Sequence, residues 1–186
     1  MKKINVLTIV IFSIALSIFT SCDPAETVEP TPGTLSEYSD VKLVFSTLSL
    51  TEADMLNIDD GSTLNAEGNV ADMDIAYCWE DNAVHSIVAP NSAWLASLWE
   101  KNGINYDVSN KNATKLGKVD IDFENITVED ITNISVNAGT DVKNLNIGDV
   151  VAFETVDGVK GFLEINIKKV TTSIYLNVKY LKPSIK

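Results

Sequence analysis

Three strand-like stretches near the C-terminal end, the second and third alternating apolar and polar residues with a period of two, constrain the chain more than any other feature. Residues 150–155 come first, residues 161–168 alternate through Leu163, Ile165 and Ile167, and Ile174, Leu176, Val178 and Tyr180 complete the third. Asp157-Gly158 separates the first two, and both residues tolerate the positive φ that closes a hairpin. A helix buries every third or fourth residue, so a period of two excludes it. The three runs predict an antiparallel meander, with Lys168, Lys179 and Lys182 mostly on or near its polar, exposed side.

Earlier segments extend the same pattern. Val41, Leu43 and Phe45 alternate in 41–46, and Val119, Ile121 and Phe123 alternate in 118–123. Residues 72–79 place Met73, Ile75, Tyr77 and Trp79 on one face, to be buried, and Asp72, Asp74, Ala76 and Cys78 on the other, to be solvated. A strand at 83–89 holds His85 and ends before Pro90. Asn91 or Ser92 caps a helix over 93–101, and Gly103 stops it. Thr127-Val128-Glu129-Asp130 opens a second, short helix with two acids in its first turn. The expected architecture is mainly β: a single antiparallel sandwich or partly closed barrel with one or two short helices.

The N-terminal end carries an address. Lys2 and Lys3 precede an apolar run over 4–19, which is shorter than the roughly 20 residues a membrane-spanning helix needs. Phe19-Thr20-Ser21-Cys22 follows and resembles the lipobox of bacterial lipoproteins, with phenylalanine where leucine is usual. The resemblance implies cleavage before Cys22 and acylation of its thiol, which makes the membrane a partner through lipid. Two or more acyl chains hold a protein stably, whereas one anchors marginally. Residues 22–37 then read as a tether, since Pro24, Pro30 and Pro32 favour extended backbone and Asp23, Glu26 and Glu29 keep it solvated. The expected organisation is a signal at 1–21, a lipidated acidic tether at 22–37 and a β-rich domain at 38–186.

Charge narrows the function classes. The chain has 14 basic residues, all lysine, against 26 acids, for a formal charge of −12. Loss of residues 1–21 would remove two lysines, Lys2 and Lys3, and no acid. Without arginine or a basic stripe the sequence argues against nucleic acid as a partner.

Candidate chemistry is sparse. With Cys22 acylated, Cys78 has no disulfide partner and reads as a half-buried structural thiol. His85 is the one histidine, which excludes a multi-histidine zinc site, and no Gly-x-Ser-x-Gly elbow accompanies it. Asp59-Asp60-Gly61-Ser62 has the look of a calcium loop, yet Leu56 and Ile58 stand where the pattern requires oxygen ligands. Asp72 and Asp74 project to one side of a strand, as an acid–base pair can, although a solvated outer face is the favoured explanation. No catalytic residue, metal ligand or cofactor is assigned. On the helix, Trp94, Leu98, Leu95 and Trp99 fall at about 0°, 40°, 100° and 140° around the axis. The tryptophans take the margins of that stripe, so core or edge packing is their favoured reading, and as the most exposed aromatics expected in the chain Trp94 and Trp99 are also the candidate ligand-binding residues.

Asp74-Ile75-Ala76-Tyr77, Ala89-Pro90-Asn91, Asn112-Ala113-Thr114-Lys115 and Gly148-Asp149-Val150-Val151-Ala152-Phe153, followed by Asp157-Gly158 and Gly161, occur in an order that resembles Bacteroidetes lipoproteins of uncharacterised function. The resemblance spans about residues 41–182 and implies a β-rich extracellular domain on an outer-membrane anchor, facing the surface or the periplasm. It supplies no catalytic residues. The leading expectation is a noncatalytic binding or structural module with a glycan or a surface protein as partner. The alternative is a small carboxylate-dependent glycan-degrading enzyme, which would need two acids about 5–10 Å apart across a cleft.

Overall fold

The computed structural model describes residues 33–45, 52–65, 71–80, 84–137, 139–169 and 173–182. The signal sequence, Cys22 and the prolines of the expected tether lie outside these. Among the described residues, ten strands form two five-stranded antiparallel sheets that face each other and do not close into a barrel.

The meander takes the form its alternation requires. β8 (Val150–Glu154), β9 (Lys160–Lys169) and β10 (Ser173–Leu181) pair in sequence, with β1 (Leu35–Val44) beyond β10 and β6 (Lys115–Val119) beyond β8. Thr155 takes the N–H of Gly158 and Val159 at the β8–β9 turn, where Gly158 has a φ of +80°. Gly161 is fixed by space: a Cβ there would meet the Lys179 carbonyl, come within 2.6 Å of Phe153 Cζ and within 2.8 Å of Tyr180 Cβ. β1 begins at Leu35, so the last residues of the expected tether, Leu35–Glu37, belong to the sheet. Asp40, at a φ of +55°, sits in the irregularity between Tyr38 and Val41, a device that blunts an edge strand.

The second sheet is built from β4 (Ile75–Glu80) and β5 (Val84–Val88), with β2 (Met55–Leu56), β3 (Thr63–Leu64) and β7 (Asp141–Val142) at its sides. Register puts Tyr77, Trp79, His85 and Ile87 on one face and Ala76, Cys78, Ser86 and Val88 on the other. Both faces are covered. Ala76, Cys78, Ser86 and Val88 are all fully buried, which corrects the expectation of a solvated side and of a half-buried Cys78. α1 (Ala93–Lys101) places Leu95, Leu98 and Trp99 in the same core cluster as Ala76, Cys78 and Val88.

A second cover lies on the outer face of the first sheet. β6 ends at Val119 rather than running on to Phe123, because Asp122 caps a 3-10 turn at Phe123–Asn125. Thr127 and Asp130 then form a reciprocal capping box for α2 (Val128–Asn133). Phe123, Ile126, Ile131 and Val136 bury themselves against Val150, Ala152 and Phe162. Lys179, expected on the exposed side, is buried beneath this cover, and its ammonium donates to the carbonyls of Phe123 at 2.9 Å and Glu124 at 3.1 Å.

Candidate functional site

α1 begins at Ser92, whose Oγ accepts the N–H of Trp94 at 3.2 Å and of Leu95 at 3.3 Å and donates to Asp141 Oδ1 at 2.5 Å. It ends where Gly103 N–H reaches the Glu100 carbonyl and Ile104 N–H reaches the Trp99 carbonyl, with Gly103 at a φ of +79°. These caps fix the helix and hence where its tryptophans point.

Trp99 and Trp94 have different surroundings. Trp99 is 1% exposed, with its ring 4.9 Å from that of Phe45, so it is core and presents no face to a ligand. For Trp99 the core reading of the stripe therefore holds and the ligand-facing one does not. Trp94 is half-buried, and the ammonium of exposed Lys143 lies 3.7 Å from its ring centroid. Such a contact holds a cation against the ring's electron-rich face. A hollow of about 440 Å³, lined by Ala96, Glu100, Gly103, Ile104, Asn105 and Tyr106, opens at the other margin of α1. Ala96 lies about 160° around the axis from Trp94, so the hollow and the tryptophan are separate surfaces.

The two aspartates of β4's approach separate in the same way. Asp72 is exposed, whereas Asp74 is 6% exposed. Asp74 Oδ2 accepts the Ile58 N–H at 2.9 Å and Oδ1 accepts from Asn112 Nδ2 at 3.2 Å. Burial raises its carboxyl to about 6 against these lowering hydrogen bonds, with Asp59 and Asp157 adding to the rise. Asp74 thereby clasps the β2–β3 turn to the loop after α1, and the solvated role expected of it is corrected. A signal was present in the sequence: Ala76 and Cys78, small and apolar, share the strand side assigned to solvent.

His85 is buried, its Nδ1 shares a 2.8 Å hydrogen bond with the Tyr77 hydroxyl, and burial lowers its pKa, with Lys168 adding to the effect. Burial raises both the Tyr77 phenol and the Cys78 thiol, which keeps the thiol out of its nucleophilic form. In the Asp59–Ser62 turn, Asp60 Oδ1 accepts the Ser62 N–H at 2.8 Å and Asn57 Oδ1 accepts the Asp59 N–H at 2.7 Å. Among the described residues no group of three or more histidine, cysteine or acidic side chains is placed to hold a metal ion.

Two further hollows open over the first sheet and its cover. One, of about 390 Å³, lies between β6 and α2 and is lined by Asp120, Glu129 and Asp130 with Val119, Ile121, Asn133, Ile134 and Phe162. The other, of about 320 Å³, is lined by Lys160 and Lys182 with Gly33, Ile131, Thr132, Gly158 and Leu181. Neither was legible in the sequence: the first forms where residues 119–134 fold back over Phe162, and the second draws residues from Gly33 to Lys182.

No family model matches the sequence, and no curated protein matches it. In fold the chain is similar to the crystal structure of a DUF4466 family protein from Parabacteroides merdae, a member of the Bacteroidetes, with a TM-score of 0.61 at 16% identity. The likeness covers 80% of this chain and 54% of that one, so this chain spans about half the length of its structural relative.

Proposed function

We propose that this chain is a noncatalytic binding or structural module of the bacterial cell envelope, held at the outer membrane by lipid on Cys22 and recognising a glycan through the α1 surface at Trp94. The observation that carries the binding role is the pairing of half-buried Trp94 with exposed Lys143 on a capped, rigid helix. The Lys143 ammonium covers this indole face in the free chain, so a sugar ring stacking there displaces it, and the displaced ammonium supplies hydrogen-bond donors to the sugar hydroxyls. Cys78, His85 and Asp74, by contrast, lie inside the scaffold. A glycan array followed by tryptophan quenching tests the ligand: binding that quenches the wild-type chain and is lost in Trp94→Ala supports the reading, and an array without hits refutes it. Labelling with an alkyne fatty acid tests the anchor, since incorporation that persists in Cys22→Ala rules out acylation there.

One observation favours the carboxylate-enzyme reading, namely that Asp74 is held at about 6, where a general acid is effective. Both its oxygens are engaged within the scaffold, which favours the clasp. Polysaccharide cleavage by the wild-type chain that disappears in Asp74→Asn would reverse this ordering.

A further inference from the structure

The three hollows described above differ in charge. The one beside α1 contains Glu100, the one beside α2 contains Asp120, Glu129 and Asp130, and neither is lined by a lysine. The third, of about 320 Å³, carries Lys160 and Lys182 and no acid among its described lining. In a chain with 26 acids and 14 lysines, such a reversal marks where an anion is tolerated.

We propose that this third cleft is a binding site for an aliphatic carboxylate. Ile131 and Leu181 supply an apolar wall, and Gly33 and Gly158 leave backbone open beside it, since a Cβ on either would meet nothing within 4 Å. Lys160 donates one hydrogen bond, to the Ile134 carbonyl at 3.2 Å, and an ammonium has three donors to give. Lys182 stands 3.9 Å from Asp59, with side chains 30% and 53% exposed, a solvent-screened contact that a ligand carboxylate displaces at little cost. Two separate ammonium groups suit a single carboxylate, and the apolar wall suits a short alkyl body. At about 30 Å³ for a water-sized unit, the volume admits on the order of ten non-hydrogen atoms. The site shares no residue with the Trp94 surface and stands or falls separately from it.

The test is a titration of the intact, isotopically labelled chain in nonionic detergent with octanoate, octanol and inorganic phosphate, followed by amide NMR. Octanoate is expected to shift the amides of Gly33 and Gly158, while octanol and phosphate at equal concentration leave them in place. Replacing both lysines, Lys160→Gln with Lys182→Gln, is expected to weaken octanoate about tenfold or more, and Lys160→Arg with Lys182→Arg to stay within about threefold. Equal shifts from octanol, shifts centred on Gly103, or unchanged affinity in the glutamine pair would each overturn the site. If the glutamine pair loses a dispersed spectrum, the wild-type shifts and the arginine pair decide.

Discussion

The two helical segments pack against the sheets by different means. α1 is fused to the main core: Leu95, Leu98 and Trp99 pack in the same cluster as Ile75, Cys78 and Val88. The segment holding the 3-10 turn and α2 forms its own smaller cluster around Phe123, Ile131 and Phe162, pinned by the buried Lys179. A cover that shares the core opens with it, whereas one with a separate cluster can open alone. The proposed ligand surface lies on the side fused to the core, because Trp94 sits on the helix whose Leu95, Leu98 and Trp99 belong to the main cluster.

The sharpest way to break this comparison is truncation on each side. Trp99→Ala is expected to cost about 3–5 kcal/mol and lower cooperative unfolding of the whole domain, as measured by urea titration. Ile131→Ala is expected to cost about 2–4 kcal/mol, with hydrogen exchange accelerating in 123–136 before the sheets. Global loss of protection in Ile131→Ala would erase the distinction between the two covers.

Asp74 sharpens the α1 side through pH. Its carboxyl is raised from 3.8 to about 6, so ionisation is disfavoured in the folded chain. The stabilisation from its neutral form is fully present below about 3.8 and is lost as pH rises through about 6, on the order of 2–3 kcal/mol. Asp74→Asn is expected to remove that part of the slope in urea unfolding between pH 4 and pH 7, and an unchanged slope would assign it to other groups. The smallest effect belongs to Ser92→Ala, which removes the α1 cap and the bond to Asp141 at about 1 kcal/mol, read as a lowered urea midpoint.

Legibility in the sequence followed locality. The β8–β10 meander, the bounds of α1 and the start of α2 rest on periodicity and caps within a few residues, and each was readable. Burial of the second face of β4 was signalled only by the small, apolar Ala76 and Cys78, and nothing near Asp74 announces what covers it. The same gap misassigned Lys179, whose cover comes from Phe123 and Glu124. For the site, the helical angles placed Trp94 and Trp99 equally at the margins, and only tertiary packing separated them. The Lys143 ammonium on Trp94 and the Lys160–Lys182 cleft join residues from distant segments, which no local pattern reports.

The central claim is that Trp94 faces ligand while Trp99 serves the core. Calorimetric titration of Trp94→Ala with a glycan bound by the wild-type chain tests it most directly. The account predicts at least about tenfold weaker binding with an unchanged melting temperature. Undiminished affinity in Trp94→Ala would contradict it.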